Sequence, residues 1–320
     1  MIYGIITILF FAGILLYFRV ADHYNIIDHP NERSSHSDIT IRGGGIIFLF
    51  AGVAAVIMHP NYWLPMLGLF IIGIISFVDD RITLSSKIRI LVHLAAATLF
   101  FIYIRALSLP VYELLFLYFL VIGTINAYNF MDGINGITGL YSLLVLGGLQ
   151  YVNLQQVAFI NADLIWLPIL ACVVFLYFNF REKARCFAGD VGSVAIAFWI
   201  VMLLVQLILI TQNWSYILFL VVYGTDSVTT IGHRLLLKQN VFKAHRLHLY
   251  QIMVNERKFP HLWVAAAYSL LQGIIILFVI NNVIFTTLSL FLICLIPLVI
   301  AYILLKVIFM KKENSHQHLQ

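Results

Sequence analysis

Residues 191–210 read VGSVAIAFWIVMLLVQLILI, an apolar run that contains no charged side chain. A helix of about 20 such residues is long enough to cross the hydrocarbon core of a bilayer. The rest of the chain repeats this pattern, since 62% of its 320 residues are hydrophobic, 10% are charged and the mean hydropathy is +0.99. A soluble domain carries about 25% charged residues. The composition therefore excludes a soluble enzyme, a disordered chain and a secreted disulfide scaffold, and it predicts a polytopic membrane protein.

We predict about eleven membrane-spanning segments, all helical, because backbone polar groups in lipid must be satisfied within the segment. Their approximate ranges are 2–18, 43–58, 62–78, 88–104, 111–125, 136–150, 164–179, 191–210, 215–232, 262–280 and 284–306. The first positive charge, Arg19, follows the first apolar run, so we interpret that run as a retained span and not a signal peptide. The predicted fold class is all-α, a polytopic helix bundle with one transmembrane domain over residues 1–320.

Lysine and arginine are unevenly divided between the two faces that this topology defines. Of the 19, only Arg105 falls on the poorer face. The positive-inside rule makes the richer face cytoplasmic, with the N-terminus outside and the C-terminus in the cytoplasm. Carboxylates sort the same way, since only Glu113 and Asp163 lie outside and Asp226 lies within the ninth span. We therefore expect an active site on the cytoplasmic face, and we attribute the net charge of +5 to topology and not to nucleic-acid binding.

Two adjacent carboxylates, Asp79 and Asp80, end the third span. Negative charges at the C-terminal end of a helix interact unfavourably with its dipole, so a structural role alone does not explain the pair. A site that binds a divalent cation or accepts a proton would explain two adjacent carboxylates. The alternative is that both are solvated at the end of the helix. Lys87 follows in the next short loop and supplies positive charge nearby.

Polar side chains recur every three residues at Asn126, Asn129, Asp132 and Asn135, and Gly136 follows. If this segment is helical, residues three apart share one face. Oxygen and amide ligands of this kind suit Mg²⁺ or hydrogen bonds to a sugar or a base. A helix C-cap with Asn and Gly turns is the alternative, but it accounts for only one or two of these residues.

A glycine-rich segment opens the eighth span, where Gly189, Asp190 and Ser193 follow Phe187. Backbone N–H groups at a helix N-terminus bind phosphate, and a nearby carboxylate can hold the metal that neutralises it. The alternative is that Asp190 is a simple N-cap.

Two basic segments contain histidine. His245, Arg246 and His248 lie in the loop after the ninth span, and His36 and Arg42 precede the second span. No cysteine accompanies these histidines, so zinc is a poor candidate. The interleaved charges favour contacts with phosphates, and a basic loop attracted to lipid headgroups is the alternative.

Taken together, these segments resemble the bacterial polyprenyl-phosphate N-acetylhexosamine-1-phosphate transferases. The DDR of residues 79–81, the NxxNFMDGxNG of 126–136 and the GDxGS of 189–193 occur in the family's order along nearly the whole chain. The resemblance implies transfer of a HexNAc-1-phosphate from a UDP-sugar to undecaprenyl phosphate, with release of UMP. It also implies Mg²⁺ as cofactor, with Mn²⁺ as an alternative, and a multi-pass location in the bacterial cytoplasmic membrane.

The resemblance implies roles for individual residues. Asp190 and Asn129 match metal-binding positions. Asp79 and Asp80 match the essential acidic pair and, with Asp190, are the catalytic candidates. Phe187 matches an aromatic residue that can stack on uracil. The candidates for nucleotide and substrate binding are Asn126, Asp132, Asn135, Phe187, His36, Lys87, Ser193, His245, Arg246 and His248.

The chain also departs from the family pattern. Asn135 stands where many members have Asp, and residues 39–44 lack the two prolines of the family's segment. The loop at 245–251, HRLHLYQ, resembles O-antigen and capsule transferases that use deoxy amino sugars better than it resembles the peptidoglycan enzyme. We therefore expect GlcNAc or a deoxy amino sugar such as FucNAc or QuiNAc as donor sugar, and the start of O-antigen or another cell-envelope polysaccharide as the pathway. Phospho-N-acetylmuramoyl-pentapeptide transferase is the alternative within the family.

Two further alternatives are a secondary transporter and a catalytically inactive scaffold of the same fold. A transporter is disfavoured because the sequence has no internal repeat and only Asp226 lies deep within a span. The expected partners are the UDP-sugar, the lipid phosphate and the bilayer, with no nucleic acid. The sequence does not decide between a monomer and a homodimer.

Overall fold

The computed structural model describes residues 1–28, 40–241 and 246–317, with side chains as far as residue 309. The helices are α1 (Ile2–His23), α2 (Ile47–Met58), α3 (Trp63–Asp79), α4 (Ser86–Tyr103), α5 (Val111–Met131), α6 (Ile137–Gln155), α7 (Asp163–Asn179), α8 (Gly189–Thr211), α9 (Val221–Leu236), the single turn α10 (Leu249–Gln251), α11 (His261–Ile280) and α12 (Thr287–Gln317). Two short strands, β1 (Ile27–Asp28) and β2 (Thr40–Ile41), pair antiparallel.

Each of the eleven predicted spans coincides with a helix, namely α1–α9, α11 or α12. In the described ranges, eight helices are long and apolar enough to cross a membrane, and α2 and α7 belong to shorter apolar helices. The helix α9 has 16 residues and follows a 3-10 segment, Trp214–Leu220. The chain is therefore a multi-pass helical membrane protein, while eleven crossings and the direction of the termini stay predictions.

The helix α8 forms the centre of the bundle, and its side chains from Val191 to Val205 are buried on all sides. A helix that is apolar all round needs this environment. Its largest side chain, Trp199, is fully buried and donates its indole N–H to the carbonyl of Leu164 on α7 at 2.8 Å. The helices α3 and α5 pack directly on α8, while α6 pairs with α7 and α11. The helices packed around α8 therefore fix the position of its first turn.

The two ends of the bundle differ in their polar contacts. At one end, Asp163 accepts a hydrogen bond from the hydroxyl of Tyr3 at 2.5 Å and lies 2.7 Å from Nε2 of His59. This cluster joins the start of α7 to the start of α1 and the end of α2. At the other end, α3, α5 and α7 finish and α6 and α8 begin, and this end holds the acidic motifs of the sequence.

Backbone touches backbone where the loop after β2 meets the first turn of α8. A Cβ atom added to Gly45 would lie 2.0 Å from Cα of Gly192 and 2.8 Å from the carbonyl oxygen of Ala188. The N–H groups of Gly44 and Gly45 donate to the carbonyls of Phe187 and Ala188 at 2.8 and 3.1 Å. A larger residue at Gly45 would have to separate the two segments.

We expect Gly45→Ala to lower the melting temperature of the detergent-solubilised protein, because overpacking a rigid contact costs about 1–3 kcal/mol. Gly147→Ala on α6 is the matched control, since its new methyl group would meet nothing within 4 Å. The control is expected to keep or slightly raise the melting temperature, because alanine is favoured over glycine in helices by about 0.5–1 kcal/mol. Equal melting temperatures for the two variants would contradict this close contact.

Candidate active site

Asp79 and Asp80 lie at the end of α3, and their side chains are only 7% and 3% exposed. A solvated helix end is therefore the wrong interpretation of the pair. Asp79 accepts a hydrogen bond from the N–H of Leu84 at 2.5 Å and lies 3.4 Å from Nη1 of Arg89. Its carboxylate closes the turn between α3 and α4.

Asp80 connects the end of α3 to the first turn of α8. Its Oδ1 lies 2.7 Å from Nη2 of Arg42, and its Oδ2 accepts from the N–H of Val191 at 3.4 Å. A Cβ atom on Gly189, which has a φ of +69°, would lie 2.6 Å from Oδ2 of Asp80. Burial and the nearby carboxylate of Asp190 raise the pKa of Asp80 to about 7, although Arg42 acts in the opposite direction.

Asp190 lies in the first turn of α8, whose N-cap is Ala188, so Asp190 itself is not the N-cap. The positive end of the helix dipole favours a negative charge at this position. Its Oδ1 accepts from Nδ2 of Asn129 at 2.9 Å, and the same amide nitrogen lies 3.2 Å from Oγ of Ser193. The structure thus brings three of the predicted site residues into one hydrogen-bonded group.

The predicted polar stripe is only partly a helical face. Because α5 ends at Met131 and Asp132 has non-helical angles (φ −83°, ψ 62°), only Asn126 and Asn129 share a face of this helix. The amide of Asn126 donates back to the carbonyl of Ile122 at 2.8 Å. The prediction of one continuous stripe was therefore wrong, because the helix stops before its third member.

Asp132 and Asn135 lie in the turn that follows α5. Asp132 is partly buried and accepts a hydrogen bond from Oγ1 of Thr138 at 2.6 Å. Burial raises the pKa of Asp132 to about 7 despite this hydrogen bond. Asn135 is buried and donates its amide N–H groups to the carbonyls of Arg181 and Glu182 at 2.8 and 3.1 Å. Its side chain therefore holds the loop after α7.

An open cleft of about 210 Å³ lies at this end of the bundle. Its walls combine four predicted site residues with residues that the motifs did not indicate. The lining residues are Asp28, Arg42, Asp132, Gly133, Ile134, Asn135, Asn179, Phe187, Ala188, Gly189, Asp190, Gln251 and His261.

Asp28, Asn179, Gln251 and His261 are polar residues of the cleft wall that were not among the predicted site residues. Asn179 accepts from the N–H of Gly136 at 2.7 Å, Gln251 accepts from the N–H of His248 at 3.4 Å, and Nδ1 of His261 lies 3.4 Å from the N–H of Asn135. The only sequence feature that could have indicated Asn179 is its place as the single polar residue at the end of the apolar span 164–179. Gln251 is the last residue of the HRLHLYQ loop, whereas Asp28 and His261 belong to no motif. Tertiary packing brings α10 and α11 to the cleft.

Among the described basic candidates, Arg42 is the one that lines the cleft. His36 and His245 lie outside the described residues. Lys87 is exposed on the first turn of α4, and Arg246 is partly buried. In the ranges that the structure describes, none of Lys87, Arg246 and His248 is among the residues that line the cleft.

His248 belongs instead to a buried network around Asp226. Its Nδ1 lies 2.9 Å from Oδ1 of Asp226, which also accepts from the N–H of Leu249 at 3.2 Å. Oδ2 of Asp226 accepts from the hydroxyl of Tyr268 at 2.7 Å, and the hydroxyl of Tyr302 donates to Oδ1 at 3.3 Å. This network ties α9 to α10, α11 and α12. The intramembrane carboxylate that could have marked a transport path is thus a structural anchor.

The cleft contains more carboxylates than cations. Asp28, Asp132 and Asp190 line it and Asp80 lies beside it, whereas Arg42 is the one arginine or lysine among the described lining residues. No three His, Cys, Asp or Glu side chains of the described ranges are grouped so that they could enclose a metal ion. Mg²⁺ is commonly held by one or two carboxylates together with water and substrate phosphates. These oxygen donors therefore fit a divalent cation that is shared with a phosphate ligand.

The sequence profile described as Glycosyl transferase family 4 matches residues 62–208. This matched region is a little under half of the chain. The match includes the acidic pair, the asparagine segment and the start of α8, and it confirms the family that the motifs indicated.

Curated relatives extend the likeness beyond this domain. The chain is 25% identical over 272 residues to a "Probable undecaprenyl-phosphate N-acetylglucosaminyl 1-phosphate transferase" of Bacillus subtilis, and the alignment covers 78% of the chain and 75% of the relative. It is 25% identical over 290 residues to the "Undecaprenyl-phosphate alpha-N-acetylglucosaminyl 1-phosphate transferase" of Escherichia coli K12, with coverage of 78% and 76%. The Yersinia pestis protein of the same name is 26% identical over 291 residues, with coverage of 80% and 78%. These names confirm the prediction of a glycosyl-1-phosphate transferase enzyme.

We expect Asp226→Asn to destabilise the protein by about 2–5 kcal/mol, because the substitution removes a buried carboxylate that accepts several hydrogen bonds. Asp22→Asn, at an exposed position of α1, is the control and is expected to change stability by less than about 0.5 kcal/mol. Chemical unfolding in detergent, followed by intrinsic fluorescence, measures both. A free energy of unfolding equal to that of the wild type for Asp226→Asn would contradict an anchoring role for Asp226.

The raised pKa of Asp132 predicts a pH-dependent stability. Folding raises the pKa of Asp132 from 3.8 to about 7, so between these values the folded protein holds a proton that the unfolded chain releases. This contribution to stability is complete below about pH 4 and is lost as the pH rises through about 7. Asp132→Asn removes the titration and keeps an oxygen for Thr138.

From pH 5 to pH 8, we therefore expect the melting temperature of the wild type to fall by about 2–4 °C relative to that of Asp132→Asn. Paired thermal melts at the two pH values measure this difference. A difference that is independent of pH would show that the pKa of Asp132 is not raised.

Proposed function

We propose that this chain transfers a HexNAc-1-phosphate from a UDP-sugar to undecaprenyl phosphate and releases UMP. The single observation that carries the proposal is the convergence of Asp80, Asp190 and Asn129 at one phosphate-compatible helix N-terminus beside an open cleft. The names of the relatives support undecaprenyl phosphate as acceptor. The asymmetry of the basic residues supports a site on the cytoplasmic face of the bacterial inner membrane.

The cleft offers separate surfaces for the nucleotide and for the phosphates. Phe187 lines the cleft directly before α8 and offers a flat apolar surface on which uracil can stack. The side chain of Asn135 is already bonded to the loop after α7, so hydrogen bonds to the nucleotide fall to Asp132 and to backbone groups. With uracil stacked on Phe187, the pyrophosphate of a UDP-sugar would lie near the N-terminus of α8.

Asp190 and Asn129 would hold Mg²⁺, and Asp80 lies close enough to complete a negative site for it. When bound, such an ion supplies positive charge that neutralises the pyrophosphate and stabilises the departing UMP. Asn129 donates its amide N–H groups to Asp190 and Ser193, which fixes the orientation of its amide group.

The proposed reaction is an in-line displacement. A phosphate oxygen of the lipid attacks the β-phosphorus of the UDP-sugar, the new P–O bond forms, and the bond to UMP breaks. A phosphate monoester has a second pKa of about 6, so much of the acceptor is a dianion at neutral pH and positioning matters more than a general base. Asp80 is the member of the acidic pair suited to take a proton from the monoanion, because its pKa is raised to about 7 and it lies beside the cleft, whereas Asp79 closes the turn between α3 and α4.

The donor sugar and the pathway are part of the proposal. The HRLHLYQ loop supports GlcNAc or a deoxy amino sugar, and initiation of O-antigen or another envelope polysaccharide. Gln251 of this loop lines the cleft, so the departure from the family pattern lies where the donor would bind.

The purified protein is expected to release UMP when it is given undecaprenyl phosphate, Mg²⁺ and one member of a panel of UDP-HexNAc donors. Asp190→Ala is expected to reduce this turnover by at least about 100-fold, because loss of one strong charge contact in a transition state costs about 3 kcal/mol. Removal of Mg²⁺ with EDTA is expected to have the same effect.

Asp22→Asn is the control for this assay, since it removes an exposed carboxylate at the same end of the bundle. No UMP release with any donor would overturn the proposed function. Substantial turnover by Asp190→Ala would remove Asp190 from the metal site. Labelled protein after incubation with the UDP-sugar alone would replace direct attack by a covalent sugar-phosphate intermediate.

A further inference from the structure

Two hydrogen bonds hold the backbone of Arg42 in place at the edge of the cleft. Its N–H donates to the carbonyl of Ile26 at 3.1 Å, and its carbonyl accepts from the hydroxyl of Tyr17 on α1 at 2.6 Å. Gly43 follows with a φ of +78°, a left-handed turn that leads into the contact between Gly45 and α8. The backbone of Arg42 therefore has little freedom, and the long side chain is directed by its charged partners.

The guanidinium of Arg42 lies among carboxylates. Nη2 lies 2.7 Å from Oδ1 of Asp80, whereas Nη1 lies 3.7 Å from Oδ1 of Asp28. The second distance is too long for a hydrogen bond, so only one of these two contacts is short. Asp190 is the third carboxylate whose charge acts on the guanidinium and favours its charged form.

The exposure of Arg42 differs from that of its main partner. The side chain of Asp80 is 3% exposed, whereas that of Arg42 is 36% exposed and lines the cleft. An arginine whose only task was to neutralise Asp80 would not need to reach an open cleft. Guanidinium groups carry five N–H donors in a planar fork that matches phosphate oxygens, and a partly exposed one can bind a second anion.

We propose that Arg42 is a phosphate-binding residue of the site, and that a substrate phosphate shares or replaces Asp80 as the partner of its guanidinium. This inference rests on the proposed function, which brings a phosphate or pyrophosphate into a cleft that is otherwise rich in carboxylates. Arg42 offsets their repulsion of the incoming anion before any reaction occurs. In the empty site the same side chain keeps the buried Asp80 neutralised.

The chemistry recognised is a phosphoryl group, which both substrates carry. The donor offers a pyrophosphate and the acceptor a phosphate monoester. Binding of UDP in the presence of Mg²⁺, measured by calorimetry on the full-length protein in detergent, reports the donor. The KM for undecaprenyl phosphate in the UMP-release assay reports the acceptor.

Arg42→Gln is expected to weaken UDP binding, or to raise the KM for undecaprenyl phosphate, by about 10- to 100-fold, because the charge-assisted hydrogen bonds to the phosphate are lost. Arg19→Gln, at an exposed position on α1, is the matched control and is expected to leave both values within about twofold. Unchanged values for both ligands in Arg42→Gln would overturn the proposal.

Arg42→Lys distinguishes a role in phosphate binding from simple neutralisation of Asp80. It also tests the proposal if Arg42→Gln does not fold. Lysine keeps the positive charge beside Asp80 but lacks the planar fork. We expect Arg42→Lys to melt close to the wild type while its affinity for UDP or for the lipid phosphate falls about tenfold. Wild-type affinity for both ligands in Arg42→Lys would show that the arginine has only a structural role.

The outcome for the wild type separates this inference from the proposed function. A wild-type protein that releases UMP while Arg42→Gln and Arg42→Lys bind both ligands normally overturns only the role of Arg42. A wild-type protein that neither binds UDP nor releases UMP overturns the proposed function and this inference with it.

Discussion

The arrangement of the site depends on one backbone contact, between the loop after β2 and the first turn of α8. Gly45 and Gly192 approach so closely that a Cβ atom on either would overlap the other segment. Because α8 is buried on all sides, its N-terminus cannot move to relieve such an overlap. The contact holds the segment that carries Arg42 against α8, and Arg42 lies beside Asp80. The packing of α5 on α8 brings Asp190 within reach of Asn129.

The second constraint is electrostatic. Few charges are available in this chain, and the protein places several carboxylates within one poorly solvated end of the bundle. Such a cluster is unfavourable unless cations are present, which is why burial and Asp190 raise the pKa of Asp80 to about 7. Arg42 provides one positive charge. A divalent cation and the N-terminus of α8 are the other sources that the proposed chemistry requires.

The sequence predicted the fold class and the position of every long helix, because apolar runs of this length leave the backbone no other way to satisfy its polar groups. It also predicted Asp80, Asp190, Asn129 and Phe187 as site residues, from local patterns and from the family resemblance, and the structure brings these residues to one end of the bundle. It was wrong about the continuous polar stripe, since the end of α5 at Met131 depends on the turn that follows. It did not find Asn179, Gln251 or His261, which reach the cleft through packing between distant helices.

The two assignments of His248 show where local sequence stops being informative. A histidine in a basic loop suggests contact with phosphates, yet Asp226, more than twenty residues earlier in the chain, holds its ring inside the bundle. The amino-acid sequence by itself determined a helical membrane protein and the motifs that supply its polar groups, because these follow from composition and from short-range spacing. Only the tertiary structure decided which groups face the cleft and which serve as anchors, because burial and charge pairing depend on contacts between segments far apart in the chain.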